Sequence, residues 1–213
     1  MQNLCQVIFY IPPMEKSQQM DFNILIAGVG GQGTLLASKI LGNYAQLIGK
    51  DCKVSEVHGM SQRGGSVITH VRIADKVYSP LFDKKQADAV LAFEELEALR
   101  WAGHVKDGGM IIINKQNIYP MPCTVGLAEY PSNIYEQLAK YNAKIHKIDA
   151  IGIANKLHEI RTVNIAVLGF CAAILNLNKD TFTDAIKKSV APATVEINLK
   201  AFEQGYATKG NQP

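Results

Sequence analysis

Hydrophobic positions fall in short unbroken runs over the first two thirds of the chain and at helical spacing over the last third. FNILIAG, residues 22–28, reads as a continuous apolar run closed by glycine. Such a run predicts a parallel strand buried on both faces. Next, Leu35, Leu36, Ile40, Leu41, Tyr44, Leu47 and Ile48 recur at helical spacing within residues 32–48, and Cys52–Val57 returns to a strand pattern. Strand, glycine turn, helix and strand make a βαβ unit, for which a right-handed crossover is expected.

Further strands are predicted at Ser66–Ile73, Ala89–Phe93, Gly109–Ile113 and Lys144–Ile148. The first alternates like a half-buried strand and turns at Ala74-Asp75-Lys76 into a short strand Val77–Ser79. Gly109–Ile113 follows an Asp107-Gly108 turn. Glu94–Trp101 continues its strand as a helix. Asn114–Tyr130 carries Pro120 and Pro122 and reads as irregular, and Ser132 is placed to cap a helix with Tyr135 and Leu138 inward. After Asp149 the pattern is helical: residues 150–158, 162–177, 179–189 and 192–205, with Thr162 and Asp180 near helix starts and Pro192 suited to another. The pattern predicts one three-layer α/β domain with a mostly parallel sheet and a helical C-terminal portion. Its expected boundaries are 21–208, with residues 1–20 as an N-terminal extension and 209–213 as a tail.

Composition narrows the function classes. The chain has 213 residues, 47% hydrophobic and 19% charged, an ordinary globular balance large enough to bury a core. A formal net charge of +3, with no clustered basic face, argues against a nucleic-acid binder. The most apolar stretch, Ile165 to Leu177, contains Gly169 and is too short to span a bilayer. The N-terminus lacks the basic region and small-residue cleavage site of a signal peptide. Cys5, Cys52, Cys123 and Cys171 are far apart, with no CxxC pair. Free thiols in a reducing compartment are expected, with no local iron–sulfur motif. The histidines are dispersed and suggest no metal site, and Trp101, Tyr44 and Phe170 read as core or interface.

Two glycine-rich motifs carry candidate chemistry. Gly28-Val29-Gly30-Gly31-Gln32-Gly33 satisfies G-x-G-x-x-G after a strand and at the start of a helix. Glycines there permit a tight turn and close backbone approach, and the helix N-terminus offers amides to an anion. The motif fits a dinucleotide or other phosphate ligand, a bare strand–helix turn, or a turn that meets a partner subunit. A dinucleotide also wants an acid at the end of the second strand, and Glu56 is the one candidate. The second motif, Ser55 to Val67, packs His58, Gly59, Arg63, Gly64 and Gly65 into a loop at a strand's carboxyl end. Arg63 beside two glycines leaves room for an anionic group.

GVGGQG followed by SEVHGMSQRGGSV resembles the gamma-type domain of 2-oxoacid:ferredoxin oxidoreductases. Its HGM-x-QRGG form is most similar to the small subunit of the indolepyruvate enzymes. The likeness runs from about Phe22 to Tyr206 and includes Asn198 to Gly205. It implies a Rossmann-like fold and a part in coenzyme A-dependent oxidative decarboxylation of a 2-oxoacid, yielding an acyl-CoA, carbon dioxide and reduced ferredoxin. The family uses thiamine diphosphate, magnesium and iron–sulfur clusters. This chain lacks a GDG…NN signature, since no glycine precedes Asp107-Gly108-Gly109, and it lacks a cluster-forming cysteine set. The resemblance therefore implies a larger alpha-type partner that holds those groups, with coenzyme A as cosubstrate and ferredoxin as acceptor. His58 and Arg63 are the expected catalytic contributors. Gly28, Gly30, Gly31, Gln32, Gly33, Ser61, Gln62, Gly64 and Gly65 are the expected ligand-binding set. The alternatives are a free-standing NAD(P)-binding reductase and a purely structural interface subunit.

Overall fold

The computed structural model describes residues 21–58 and 64–211. The expected extension 1–20 and the candidate residues Ser61, Gln62 and Arg63 lie outside the described residues. Strand β1 (Phe22–Val29), helix α1 (Thr34–Leu47), β2 (Asp51–His58) and β3 (Ser66–Ala74) come first. Then follow β4 (Ala87–Ala92), α2 (Glu95–Trp101), β5 (Val105–Asn114), the short helices α3 (Met121–Thr124) and α4 (Ile134–Leu138), and β6 (Ala143–Ile148). The helical portion comprises α5 (Ala150–Lys156), α6 (Val163–Ile174), α7 (Lys179–Ser189) and α8 (Val195–Ala207).

The six strands lie in the order β2-β3-β1-β4-β5-β6. β1, β4, β5 and β6 pair in parallel, while β3 runs antiparallel to both β1 and β2. The expected βαβ unit is thus opened. β2 runs parallel to β1, but β3 returns from it as a hairpin and inserts between them. That placement explains why β3 is buried from Val67 through Val71 and is not the half-buried alternating strand expected. The expected strand Val77–Ser79 is absent, because the Val77 N–H donates to the Asp51 carboxylate (3.0 Å) and not to a ladder. The Asp107-Gly108 turn is absorbed into β5. Gly108, at φ 75°, sits near a register shift between Ala87 and Ala89, so the strand starts earlier than expected.

Alternate residues of β1 feed opposite cores. Ile24 and Ile26 face α1, α6, α7 and α8, while Leu25 faces α2 and α4. Helix α6 (VNIAVLGFCAAI) is buried from Asn164 through Ile174, which accounts for its apolar composition. Caps set the helix starts. Glu94 accepts from the Glu97 N–H (2.8 Å), Asp149 from Gly152 (2.8 Å) and Asn178 from Thr181 (2.9 Å). Asn178, not Asp180, therefore caps α7. Asn133, not Ser132, occupies the cap position of α4 and makes no side-chain cap bond. No helix among the described residues is long and apolar enough to cross a membrane.

The fold also gathers two histidines that look dispersed in sequence. His70 is buried, its ring 4.5 Å from Phe82 and 6.3 Å from His104. Neither Nδ1 has a hydrogen-bond partner among the described residues. Burial, with His104 adding to it, pushes the His70 imidazole below the ordinary range, and burial does the same to His104. A depressed imidazole pKa favours the neutral form in the fold. The stabilisation is complete above the unfolded value of about 6.5 and is lost as pH falls. Denaturation midpoints are expected to fall between about pH 7 and pH 5, and His70→Phe to flatten that fall. An unchanged slope in the variant would place the acid sensitivity elsewhere.

Candidate active-site face at the strand ends

The carboxyl ends of β1, β4 and β5 converge on the first glycine loop. Gly28 is buried, and an added Cβ would meet Gln32 Oε1 at 3.0 Å and Phe93 Cδ2 at 3.3 Å, so a side chain there would crowd Gln32 where it folds back over the strand. Gln32 Oε1 accepts from the Val29 N–H (2.7 Å), and its Nε2 donates to the Phe93 carbonyl (3.0 Å) and Gln116 Oε1 (3.0 Å). Asn114, fully buried, donates to the same two acceptors (3.2 Å each) and accepts from the Ala150 N–H (3.1 Å). Gln32, Asn114 and Gln116 thus make one amide network joining the ends of three strands to the start of α5.

Gly33, at φ 81°, packs directly against Asn164 of α6. The Asn164 amide donates to the Gly33 carbonyl (3.3 Å), and its Oδ1 accepts from the Ile165 N–H (2.9 Å). Helix α1 has no side-chain cap and no acidic residue in its first turn. Its N-terminus thus offers main-chain amides and a positive dipole end to an anion, although the Glu56 carboxylate already lies 3.5 Å from the Thr34 hydroxyl. A cavity of about 250 Å³ opens there, walled by Gly31, Gln32, Gly33, Gln116, Arg161 and Asn164, with Phe93 and Ile160 among its apolar walls. Arg161 is bound by Glu159 through Nε (2.8 Å) and Nη2 (2.7 Å). Those side-chain bonds and the Arg161 N–H hold the Glu159 carboxyl down to about 2.

The second motif meets the first through the Gly30 N–H, which donates to the Gly65 carbonyl (2.9 Å). Gly64, at φ 74°, adopts the left-handed turn that glycine favours. His58 lies at the exposed end of β2, its Nδ1 3.7 Å from Glu56 Oε1, and is not a wall of the cavity. The described residues bring together Gly28, Gly30, Gly31, Gln32, Gly33, Gly64 and Gly65, and leave His58 at the margin. Residue patterns missed Asn114, Gln116, Arg161 and Asn164. A polar Asn164 inside the apolar α6 sequence and the Asn-x-Gln at the end of β5 were the available signals.

A nicotinamide site fits this geometry poorly. β3 separates β2 from β1, so the strand that carries Glu56 is not the neighbour of β1 on which a ribose-binding acid stands. The Glu56 carboxylate instead accepts from Thr69 (3.3 Å) and Thr34 (3.5 Å). Nor do the described residues fit a resident metal or cluster, for they contain no group of three or more His, Cys, Asp or Glu suited to an ion. Cys52 and Cys171 sit on different elements, and burial pushes their thiols up to about 11 and about 12, away from the thiolate a cluster needs.

The family model for pyruvate ferredoxin/flavodoxin oxidoreductases matches residues 23–208. Indolepyruvate oxidoreductase subunit IorB of Pyrococcus horikoshii is 39% identical over 192 residues, covering 87% of this chain and 94% of that one. The gamma subunit of a keto/oxoacid ferredoxin oxidoreductase from Geobacter sulfurreducens superposes with a TM-score of 0.68 at 25% identity, covering 90% of this chain and 99% of that chain. The fold also recurs in the 2-oxoglutarate:ferredoxin oxidoreductase of Magnetococcus marinus (TM-score 0.68, 17% identity), where 91% of this chain aligns with 32% of a longer one. The chain belongs to the pyruvate ferredoxin/flavodoxin oxidoreductase family, as an oxidoreductase subunit of the small, gamma type.

Proposed function

We propose that this chain acts on indolepyruvate or related aryl pyruvates, in complex with a larger alpha-type subunit. The complex carries out coenzyme A-dependent oxidative decarboxylation with ferredoxin as acceptor. The observation that carries this reading is the 39% identity to an indolepyruvate oxidoreductase subunit along 94% of that subunit's length. Thiamine diphosphate, magnesium and iron–sulfur clusters belong to the larger subunit in this reading, which agrees with the lack, among the described residues, of a group of three or more His, Cys, Asp or Glu suited to a metal ion.

The part of this chain is to complete the ligand route from the side. The open N-terminus of α1 and the joined glycine loops hold an anionic group of coenzyme A or the substrate carboxylate. Gln32 keeps the loop in the shape that presents those amides. Arg63, with Ser61 and Gln62 beside it in sequence, adds a positive charge to that anion. His58 positions or shuttles a proton at the margin of the face through its two ring nitrogens.

The test is co-expression with the larger thiamine-diphosphate and iron–sulfur subunit and purification without oxygen. Indolepyruvate- and coenzyme A-dependent reduction of ferredoxin is expected only when both chains are present. In the assembled enzyme, Arg63→Ala is expected to raise the apparent KM for coenzyme A or the 2-oxoacid by about tenfold or more, the usual scale for a charge-assisted contact. A larger subunit fully active alone, with no stable complex, defeats the proposal. Unchanged KM values in the variant remove Arg63 from the anion site.

A further inference from the structure

We infer that the excursion between β5 and α4, residues 115–133, is the docking surface for the larger oxidoreductase subunit, an inference that rests on the subunit reading above. Connections in α/β domains ordinarily take about 2–6 residues, and longer ones usually carry function. This one leaves the same end of the sheet as both glycine loops. Along it Tyr119, Met121, Val125 and Leu127 are 61%, 72%, 57% and 83% exposed. Scattered apolar side chains on a surface need no explanation, but four on one short segment form a patch, and such patches mark interaction sites.

The patch is held out by construction. At its base the Lys115 N–H donates to the Ile148 carbonyl (2.8 Å) and the Glu95 N–H to the Gln116 carbonyl (3.0 Å). The buried Glu94 carboxylate accepts from the Ile118 N–H (3.1 Å) and the Tyr130 hydroxyl (2.5 Å), pinning both arms of the excursion to the start of α2. Two arms fixed to one buried carboxylate give a pre-organised tip, and a pre-organised surface loses less entropy on binding.

Two observations select the larger subunit as occupant. Gln116, at the root of the excursion, is also a wall of the glycine-loop cavity, and the 57% exposed Ile160 stands on the same wall. A chain seated on the patch therefore reaches the cavity as well. In addition, the Pyrococcus relative matched along 94% of its own length is a subunit of an oxidoreductase, so a second chain of that enzyme is the partner such a surface would meet.

The experiment measures affinity between this chain and the co-expressed larger subunit, purified without oxygen, by titration and sedimentation. Met121→Asp and Leu127→Asp place a charge on exposed positions and are expected to leave the melting of the isolated chain unchanged. Each is expected to weaken the complex by at least about tenfold, the scale of an interface hot spot. Leu127→Ala weakens it less, and Tyr78→Asp, 84% exposed at the opposite end of the sheet, leaves it unchanged. Wild-type affinity in both charged variants, or equal weakening by Tyr78→Asp, overturns the docking surface while leaving the subunit reading intact. Self-association of the isolated chain that Leu127→Asp disperses assigns the patch to a second copy instead. Absence of any wild-type complex overturns both readings together.

Discussion

Gly205→Ala is expected to destabilise the fold by about 3 kcal/mol or more, lowering Tm by roughly 10 °C for a domain of this size. The reason is a backbone-to-backbone crossing of α6 and α8. A Cβ at Gly205 would stand 2.8 Å from the Ala166 carbonyl carbon and nearer still to its oxygen. One at Gly169 would press in the same way on the Phe202 carbonyl and lie 3.0 Å from the Tyr206 nitrogen. Backbone atoms cannot swing aside as side chains do, so the methyl must drive two buried helices apart. The fully buried Phe202 and Phe170 lie on those helices and would shift with them. Gly42→Ala in α1 is the matched control. Its Cβ meets nothing within 4 Å, so the better helix former should be neutral or stabilise by about 0.5–1 kcal/mol. Thermal melts of the three proteins decide the matter, and equal melting of Gly205→Ala and wild type would show that the crossing is looser than described.

The second large effect is expected at Gly33 and is conditional on Asn164. Gly33 holds φ 81°, which costs a side-chain-bearing residue about 1 kcal/mol. A Cβ there would also lie 3.1 Å from Asn164 Cγ and closer to its amide nitrogen, but an ordinary 3.6 Å from Asn164 Cβ. Gly33→Ala alone is therefore expected to lose about 2–3 kcal/mol, through strain and displacement of a buried amide. In an Asn164→Ala background the same change should lose only the roughly 1 kcal/mol of conformational strain. A double-mutant cycle by urea denaturation measures the coupling. Additive losses would mean that Asn164 does not support the loop. In the assembled enzyme Gly33→Ala is also expected to reduce turnover, because it displaces the wall of the cavity that the ligand route uses.

Much of the architecture was legible along the chain because it rests on local rules. The apolar run at residues 22–28, short and closed by glycine, predicted a strand buried on both faces, and it became an inner strand of the sheet. The helical spacing after Asp149 foretold α5 through α8. Glycines at 28, 30, 31 and 33 marked the turn at which a strand end meets a helix start. The paired motifs GVGGQG and HGM-x-QRGG carried the family, since two motifs in order are far more specific than either alone. Each of these signals, and each of the two motifs taken singly, depends on residues within a few positions of one another.

What the tertiary structure alone decided depends on residues far apart in sequence. Strand order is one such matter. A hairpin and a crossover both follow from strand–helix–strand–strand, and the insertion of β3 between β1 and β2 is settled only by which edges find complementary apolar faces. That insertion puts Glu56 on a strand that does not neighbour β1, where its carboxylate is taken up by Thr34 and Thr69. The amide network of Gln32, Asn114 and Gln116 joins residues up to 84 positions apart, and Asn164 reaches Gly33 across 131. Hydrogen bonds and steric contacts of that range leave no periodicity behind, because the chain pattern records what each residue is and not what it will face.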